Sequence, residues 1–565
     1  MPYLKNISVF TISNFLLIML FTSSTAAAES NWVQRFLDRY HAPQAPAAIG
    51  ASGPGSLAAM VQSGAVSLTT EDIVRLLLEN NREVIVNRLA PISSVYAITS
   101  LIRPFEPNFH ITGSVNRTKT PSRSQLTGAP ALNQLTHDYK VGFDQTLETG
   151  TIYSVDFDLN RSSSNSAFNL FNPSYNGLIT YAFTQHLLRD FGRGVNSHQI
   201  RIARNNEKIS ELQFELQVID LITQAQEAYW DLAFADEDVK VKQRSVDLAS
   251  KTLHDNEIQV QIGTLAPIDL VQAETEVATR KEQLITAQYT VDQLQDQLKK
   301  MITHETDPGL VPVRLNLVEP LRPPGSENEL PLEKAIQFAL ENRPEMKQAD
   351  YDVANQDINI QYTKNQKLPI LEITGSYTQS GLGGTQTVRS GFGQGTAIIQ
   401  VVPGGVTDVF GQLFGFSYTG YTAAFNLQIP LTNRAARADY ERAINERQLS
   451  AMRKAATAQR IALEVRNANT TVEMQRAHVE TARITHDLAT RRLDAEQKKF
   501  ELGTSTVRFV LEEQRNLAQA EIDEIQALVN YTKALVEYDR AIGNTMARNN
   551  VQLEKQLPAQ VTSAN

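Results

Sequence analysis

Two stretches of the chain contain neither glycine nor proline over lengths that globular domains rarely use. They run from Val195 to Ile262, which is 68 residues, and from Leu431 to Leu502, which is 72 residues. Globular helices usually have about 8 to 20 residues, so these stretches predict coiled-coil helices roughly 100 Å long at about 1.5 Å per residue. From Ile461 onward, positions spaced alternately four and three apart are apolar at nine of twelve steps, which favours a heptad seam.

The chain also contains one unit twice. The segment LTTEDIVRLLLENNRE from Leu68 resembles LPLEKAIQFALENRPE from Leu330 at a shift of 262 positions, and the strand start ITGS occurs at Ile111 and, with the same shift, at Ile373. Such self-similarity predicts two copies of the same arrangement of helices and strands.

Further along the chain the shift falls from 262 to 240 positions, because Gly263-Thr264 matches Gly503-Thr504. The first copy therefore has about twenty extra residues, and the spacing of the matched strands places most of them between Ser114 and Tyr181. An insertion of this kind is expected in a loop.

The sequence predicts the same order of elements in each copy: a short helix, a medium helix, a strand, a variable connection, a second strand, a very long helix, a tip and a shorter helix. The shorter helices are expected to stack end to end beside the long ones, with a kink at Pro91. The predicted domains are, in chain order, an N-terminal periplasmic extension (29–67), a first repeat (68–307), a linker (308–329), a second repeat (330–543) and a polar tail (544–565).

Four segments alternate apolar and polar residues with period two: 108–116, 178–185, 371–378 and 421–429. Each is close to the length of a tilted strand that crosses a bilayer, about 9 to 11 residues, with one face toward lipid and one toward water. Alternation alone also fits a soluble sandwich. Because small closed barrels need about eight strands, a four-stranded membrane chain must oligomerise, and a trimer would supply twelve strands.

Two connections between the strands contain further signals. The connection near 379–417 is rich in glycine, serine and threonine, which is typical of a long exposed loop and matches neither a dinucleotide fingerprint nor a P-loop. The connection in the first copy resembles a further hairpin that turns at Glu148 to Thr151. We expect this hairpin to stand outside the membrane or to extend the strands.

The N-terminus has the pattern of a secretory signal peptide over residues 1–28, with cleavage between Ala28 and Glu29. The alternative is a short N-terminal core helix. No cysteine follows the apolar run, so no lipid anchor is expected there. No stretch of 18 apolar residues follows residue 28, so no transmembrane helix is expected in the mature chain.

Composition excludes several classes of function. The absence of cysteine removes disulfide scaffolds, thiolate zinc sites and cysteine nucleophiles, and a formal net charge of −9 argues against binding to nucleic acid. The nine histidines lack a metal-binding spacing, and no hydrolase motif is present. We therefore expect neither an enzyme nor a cofactor, and we interpret His486, at a seam position, as a hydrogen-bonded packing residue.

The segments QIGTLAPIDLVQAETE from Gln261 and KFELGTSTVRFVLEEQRNL from Lys499, with the two ITGS strand starts, resemble the TolC-like outer-membrane efflux proteins of Gram-negative bacteria. The resemblance covers roughly Leu68 to Gly543. It implies an α+β membrane channel: a homotrimer with a 12-stranded β-barrel in the outer membrane and an α-helical barrel through the periplasm. It also implies a periplasmic adaptor and an inner-membrane transporter as partners, and no cofactor.

By position, the resemblance makes the two helix tips the ends that face the adaptor: Gly263, Thr264, Leu265, Ala266 and Pro267, and Gly503, Thr504, Ser505 and Thr506. Asp269 matches an acid near the periplasmic constriction, and Phe500 matches an aromatic there. Phe509 stands where many relatives have an acid, while Glu512 matches another acidic position one turn further. Ser505 replaces an arginine found in some relatives, so a salt lock between helices is not expected there. Read without the family, Asp269 is an ordinary acid at a helix start.

The leading hypothesis is a passive conduit for small molecules such as drugs and toxic compounds, opened when its partners splay the tips. Acidic lumen residues would favour cations. Metal efflux and type I protein secretion stay open, although the tips have no methionine or histidine cluster, which disfavours a metal relay. An alternative of another class is a periplasmic coiled-coil or adhesion protein without a pore, which would need no lipid-facing strands.

Overall fold

The computed structural model describes seven segments of the chain: residues 64–122, 128–166, 169–263, 266–303, 311–321, 330–391 and 397–553. The predicted signal peptide with its cleavage site at Ala28 and Glu29, nearly all of the extension and the end of the tail lie outside these residues, as do the tip residues Thr264 and Leu265.

The first copy contains five helices and five strands among the described residues, in this order: β1 (Ala65–Leu68), α1 (Thr70–Asn80), α2 (Arg82–Ser100), β2 (Asn108–Pro121), β3 (Ala131–Thr146), β4 (Thr151–Ser164), β5 (Phe171–His186), α3 (Arg193–Asn196), α4 (His198–Gln261) and α5 (Pro267–Ile302).

A short strand, β6 (Arg314–Leu317), precedes the second copy. The described elements from there to the end are α6 (Leu332–Asn342), α7 (Pro344–Gln366), β7 (Ile370–Arg389), β8 (Ile398–Val402), α8 (Val406–Phe414), β9 (Thr419–Gln428), α9 (Arg434–Glu501), α10 (Val507–Ile542) and the one-turn helix α11 (Thr545–Arg548).

The two long helices are where the missing breakers predict them, with 64 residues in α4 and 68 in α9. Helices α2 and α5 pack along α4, while α7 and α10 pack along α9 and also contact α4. Helix α2 continues through Pro91 to Ser100. The predicted seam of α9 is confirmed, since these of its members are buried: Ile461, Val465, Ala468, Val472, Val479, Ala489 and Leu493.

His486 is held by a neighbouring helix, as predicted. Its Nδ1 lies 2.5 Å from Oε2 of Glu524 on α10. A polar residue at a seam position thus has a hydrogen-bonding partner, which removes most of the cost of placing it there.

Each copy has its own apolar core. The core of the first copy surrounds Tyr229 of α4 and joins α1, α5, β1 and β6, and the core of the second copy joins α6, α9 and α10. Strands β1 and β6 pair in parallel although they come from the predicted extension and linker, so the polar segments on either side of the first copy are joined across its core.

Helix α2 and the turn after it, Arg82–Phe105, form the one described helical segment that is long and apolar enough to cross a membrane. The sequence predicts no such segment because no unbroken run of 18 apolar residues follows residue 28. Here Glu83 and Arg88 interrupt the apolar residues of α2. The helix packs along α4 and leads directly into the sheet at Asn108. Length and composition alone are therefore weak grounds for a membrane span.

The strands form one antiparallel sheet. Six long strands lie side by side in the order β2, β3, β4, β5, β7 and β9, and the short strand β8 pairs with the outer part of β7 beyond β9. The four strands predicted from alternation are β2, β5, β7 and β9. The predicted hairpin is β3 and β4, and its turn is closed by a hydrogen bond from the Leu147 amide to the Thr151 carbonyl, 2.8 Å long.

The position of this hairpin differs from the expectation that it would stand outside the membrane or extend the strands. It lies between β2 and β5, at their level, because Asn108 pairs with Asp144, Asp144 with Ser154, and Ser154 with Ala182. The extra residues of the first copy therefore add two strands to the sheet instead of lengthening a loop.

The sheet has one apolar face and one polar face. The apolar face is formed largely by exposed side chains: Phe109, Ile111, Val115, Tyr139, Val155, Tyr181, Phe183, Ile373, Tyr377, Tyr421 and Phe425. Among the described residues β2 pairs only with β3, and β9 only with β7. An isolated chain thus leaves a wide apolar surface and two strand edges uncovered.

The glycine-rich connection after β7 is more ordered than the predicted loop, since β7 itself extends to Arg389 and β8 and α8 follow. Helix α8 lies on the apolar face, with Val409 and Leu413 fully buried. It can approach the sheet because the strand residues beneath it are glycines: a Cβ on Gly177 would lie 2.4 Å from Cγ1 of Val409. Gly381 and Gly383, which belong to the connection predicted as a loop, also lie beneath this helix, against Val409.

Candidate functional site

The first helix tip is a tight turn between α4 and α5. Gly263 has φ of 79°, and its amide donates to the Val260 carbonyl at 3.0 Å. Ala266 is extended, and Pro267 begins α5, where its lack of an amide hydrogen costs nothing. A side chain at Gly263 would be strained by the backbone conformation alone, because no atom lies within 4 Å of an added Cβ.

The second tip repeats this turn. Gly503 has φ of 73°, and its amide donates to the Phe500 carbonyl at 2.9 Å. The Thr504 amide donates to the Lys499 carbonyl at 2.9 Å, and Thr506 is the extended residue before α10. The described residues of the two tips thus share a left-handed glycine, its backbone hydrogen bond and an extended residue before the next helix, 240 positions apart.

Ser505 acts within its own hairpin. Its hydroxyl donates to Glu496 of α9, which also pairs with Lys499 at 2.9 Å. The hydrogen bond from Ser505, followed by that from Lys499, lowers the pKa of the Glu496 carboxyl. This contact connects the last turns of α9 to the turn that precedes α10.

Both tips expose large aliphatic side chains that the sequence reasoning did not single out. Ile262 and Leu502 are 68% and 79% exposed, and they precede the matched glycines. Ile268 of α5 is 63% exposed. An apolar residue directly before each turn glycine and outside the heptad seam is the signal that identifies them. Clustered exposed apolar side chains mark surfaces that bind other proteins.

The four constriction candidates occupy different positions around the tips. Asp269 lies in the first turn of α5, where an acid is favoured by the helix dipole. Phe500 is half-buried in the last turn of α9, whereas Phe509, 44% exposed, and Glu512 lie on the exposed side of α10. Among the described residues neither carboxylate has an ion-pair partner. The structure therefore does not join Asp269 to Glu512 within one chain.

The guanidinium of Arg508 lies 4.9 Å from the centre of the Phe509 ring. Position 509 thus carries an aromatic ring with an adjacent cation. An acidic ring at this level of the tip would have to come from Asp269 or Glu512.

Polar contacts join α10 to the first hairpin near the tips. Nη2 of Arg515 lies 3.1 Å from Oε2 of Glu276 on α5, and Nη2 of Arg244 on α4 lies 2.5 Å from Oε1 of Glu521. Both arginines are more than half exposed, so each pair contributes about 0.2 to 1 kcal/mol at most. The ion pairs between the two hairpins are thus weak at this level, and a 3.2 Å hydrogen bond from Nε2 of the buried Gln514 on α10 to Oγ1 of Thr252 on α4 accompanies them.

The polar face of the sheet carries most of its charge on the inserted hairpin. Asp138, Lys140 and Asp144 lie on β3, and Asp156 and Asp158 lie on β4. Nζ of Lys140 lies 3.1 Å from Oδ1 of Asp158. The hairpin thus adds four acids and one base to this face, and charge on the walls of a pore acts on the ions that pass.

The family model for outer membrane efflux proteins matches residues 152–304 and 335–544, which is more than half of the chain and includes both copies. The chain belongs to the outer membrane efflux protein family. The expected family resemblance is therefore confirmed, and with it the channel fold with internal duplication. No curated protein sequence matches the chain.

Three solved structures show the same fold at low sequence identity. The CmeC outer membrane channel of Campylobacter jejuni is 15% identical, with a TM-score of 0.58 over 92% of this chain and 96% of that one. VceC of Vibrio cholerae is 13% identical, with a TM-score of 0.57 over 84% and 96%. The open MtrE channel of Neisseria gonorrhoeae is 16% identical, with a TM-score of 0.54 over 84% and 89%.

Membership fixes what kind of protein this is and where it lies. The family consists of outer-membrane channels that are not enzymes. The apolar face of the sheet belongs in the outer membrane of a Gram-negative bacterium, and the long helices extend into the periplasm.

Proposed function

We propose that three copies of this chain form a passive export conduit that receives small molecules, such as drugs and toxic compounds, from an inner-membrane transporter through a periplasmic adaptor. The observation that carries the proposal is the two-faced sheet with its two open edges, continued directly by long helical hairpins. In lipid every backbone polar group must be paired, so the edges of β2 and β9 need partner strands. Pairing β9 of one copy with β2 of the next satisfies both.

The tips support docking on an adaptor. Ile262 and Leu502 are exposed beside turns whose glycines allow close approach, and such anchors gain binding energy when a partner buries them. The acidic Asp269 and Glu512 follow these anchors by seven and ten residues along the chain and are proposed to line the entrance.

Opening is a shift between two arrangements of the tips, and the partners bias it by binding the open arrangement better. The contacts Arg515 to Glu276 and Arg244 to Glu521 hold the second hairpin to the first. Two pairs worth about 0.2 to 1 kcal/mol each are weak enough for an adaptor to replace. The transporter supplies the energy, and the channel itself has no catalytic step.

The first experiment tests the conduit. The protein is purified from outer membranes, its heat-stable trimer is sought on gels, and its ion conductance is measured in planar bilayers. Absence of trimers and of conductance would contradict the proposal and favour a periplasmic coiled-coil protein without a pore. Drug susceptibility of a host that lacks its own outer-membrane efflux channel, with the adaptor and transporter from the same bacterium, tests the cargo class. Restored secretion of a protein instead of drug resistance would favour type I secretion.

A second experiment tests the docking residues. Ile262→Asp and Leu502→Asp should abolish drug resistance but leave trimer formation and conductance intact, because both side chains are exposed. The matched controls are Ile262→Leu and Leu502→Ile, which keep the apolar surface and should retain resistance. Full resistance in the aspartate variants contradicts docking at the tips.

A third experiment tests the entrance. Replacing Asp269 and Glu512 by Ala should reduce cation preference in single-channel recordings, because their carboxylates attract cations. An unchanged preference contradicts their assignment to the constriction. In the same recordings, Arg515→Ala with Arg244→Ala should raise the fraction of time spent open; Glu276 is kept because it also pairs with the buried Arg280. Asp487→Ala, which removes an exposed pair within α9, is the control and should have no effect.

A further inference from the structure

We infer that the outer-membrane section of this channel is a barrel of eighteen strands, wider than a twelve-stranded one, and that its outlet therefore admits bulkier cargo. The inference rests on the proposed trimer, to which each chain contributes one sheet. The observation that carries it is the hairpin β3 and β4, which lies inside the sheet between β2 and β5. Three copies of a six-stranded sheet supply eighteen strands.

The register shows that the hairpin is part of the wall over its whole height. Strand β3 pairs with β2 at every position from Asn108 to Pro121, and β4 pairs with β5 from Thr151 to Ser162. These pairings leave no stretch along which β2 could also reach β5. In an antiparallel sheet, the distance across three strand spacings is about 14 Å.

The apolar side chains of the hairpin continue the lipid-facing surface at the height of its neighbours. Phe109 of β2 pairs with Phe143 of β3, Phe143 with Val155 of β4, and Val155 with Tyr181 of β5. The rings of Phe143 and Tyr153 lie 5.9 Å apart. A hairpin standing in water beyond the membrane would have no need for such a row, since alternation with an apolar outer face is the signature of a strand in lipid.

The other face of the hairpin matches the interior of the barrel. His110, Gly142 and Asp156 form a row across β2, β3 and β4. The His110 ring lies over Gly142, where an added Cβ would be 2.3 Å from Cε1 of His110. Its Nδ1 lies 3.4 Å from Oδ1 of Asp144. Both faces of the inserted strands are therefore built like those of the strands that the two copies share.

The strand count sets the width. With strands about 4.8 Å apart and tilted by about 40°, twelve strands give a backbone diameter of about 24 Å and eighteen give about 36 Å. Even strand numbers in this range are ordinary for bacterial outer-membrane barrels, and 16 to 18 strands typically leave an aqueous channel. An eighteen-stranded outlet is then about half as wide again as a twelve-stranded one.

Cysteine pairs test the strand order directly, because the natural chain has no cysteine. Thr112→Cys with Lys140→Cys should form a disulfide, since these residues are Cα partners on β2 and β3 and paired strands bring Cα atoms within disulfide range. Thr112→Cys combined with a cysteine at Leu178, Thr180 or Ala182 of β5 should not. Linkage is read by mass spectrometry of peptides from trimers isolated in the membrane. The reverse pattern would overturn the inference.

A deletion variant tests the width. Residues 123–168 are replaced by Asn-Gly. This turn joins the C-terminal end of β2 to the N-terminal end of β5, which lie at the same end of the sheet. Electron cryo-microscopy of trimers in lipid nanodiscs should count eighteen strands in the natural protein and twelve in the variant. Polymers added on the outer side in bilayer recordings should enter the natural channel up to a larger size than the variant.

These outcomes separate the inference from the proposed function. A conducting trimer with twelve strands, or with the same polymer cut-off as the deletion variant, overturns the wide barrel and leaves the conduit standing. Absence of any trimer overturns both. Should the deletion variant fail to fold, the cysteine pairs and the strand count of the natural protein still decide the question.

Discussion

The two copies of the repeated unit have helices of almost equal length but very different strand regions. Helices α1 and α6 have 11 residues each, α5 and α10 have 36 each, and α4 and α9 have 64 and 68. Between the medium and the long helix, the first copy has four long strands and the second has two, with β8 and α8 between them. Helices that lie side by side must keep their length if their tips are to meet one partner. Strands can be added in pairs, because a hairpin of two antiparallel strands brings the chain back to the end of the sheet at which it started.

The copies also share a joint that is built from different residues. In the first copy, Nδ2 of Asn81 donates to the carbonyl of Met301 at 2.8 Å. In the second copy, Nη1 of Arg343 donates to the carbonyl of Ala541 at 3.4 Å. Asn81 and Arg343 are 262 positions apart, and Met301 and Ala541 are 240 apart, so the two bonds correspond. In each copy, a side-chain hydrogen bond thus connects the start of the second helix to the last turn of the final long-hairpin helix, α5 or α10.

The two joints differ in charge. Arg343 is 5% exposed and pairs with Glu345 and with Glu464 of α9. Burial alone would lower its pKa, but the hydrogen bonds and charges of Glu345 and Glu464 outweigh burial and raise it. Asn81 instead uses its Oδ1 to cap α2, accepting from the amides of Glu83 and Val84. The first joint is thus neutral and the second is ionic.

The largest effect is expected from breaking the ionic joint. Arg343→Ala leaves Glu345 without its ion-pair partner and Glu464 with Arg460 alone, and it should cost about 3 to 5 kcal/mol of stability. Asn81→Ala removes only neutral hydrogen bonds and should cost about 1 to 3 kcal/mol. Urea unfolding in detergent, followed by fluorescence, measures both. Equal losses would show that the two joints are energetically equivalent despite their chemistry.

The next effect comes from the first helix of each copy. Leu77 of α1 and Ala339 of α6 occupy matched positions, and both are fully buried. Leu77→Ala should cost about 2 to 5 kcal/mol through the cavity that it leaves, whereas Ala339→Leu should cost about 1 to 3 kcal/mol by overpacking. The same unfolding assay applies. A neutral Ala339→Leu would mean that α6 has room that the structure does not show.

A third comparison sets the inserted hairpin against a shared strand. Val155 of β4 and Phe425 of β9 lie on the apolar face and are 37% and 78% exposed. A lysine at either position should cost about 2 to 4 kcal/mol near the middle of the bilayer. Ser154→Lys and Asn426→Lys, on the polar face, are the controls and should be tolerated. The folded fraction on semi-native gels reports all four. Tolerance of Val155→Lys alone would place the hairpin outside lipid.

The smallest effect is at the start of the short helices. Thr69 and Asp72 form a capping box at α1, whereas Pro331 precedes α6 without a side-chain cap. Thr69→Ala should therefore cost about 1 kcal/mol, and Pro331→Ala should lose no capping bond. Thermal unfolding of the two variants checks the difference. Equal shifts in Tm would argue against the capping box.

Much of this fold follows from local pattern. The missing breakers locate α4 and α9, heptad spacing identifies residues such as Val465 as seam members, and matched glycines locate both tips. Local pattern does not predict contacts between residues that are far apart in the sequence. Alternation predicts that β3 is a strand but cannot say which strand lies beside it. Likewise, Glu464 is 121 positions from Arg343, so no spacing in the sequence connects them.

The candidate site is less fully predicted than the fold. Turn chemistry predicts Gly263 and Gly503, and the structure places both in the required backbone conformation. The exposed Ile262 and Leu502 were missed, since an apolar residue in a long helix is first assigned to a core. Glycine content also misled at Gly381 and Gly383 on β7, which lie against Val409 of α8, because a residue without a side chain serves a close packing contact as well as a flexible loop.

Helix α8 has a consequence for the outer end of the sheet. Strand β9 begins at Thr419, which pairs with Gln379 of β7, and toward the outer end no described strand lies beside this edge of β7 until Gln386 pairs with Val402 of β8. In that gap, Gln412 exchanges two 2.9 Å hydrogen bonds with the amide and carbonyl of Leu382, as a neighbouring strand would. An unpaired edge at the cell surface invites foreign strands and aggregation. A single side chain thus keeps the strand that carries both β8 and β9 from acting as a template for other chains.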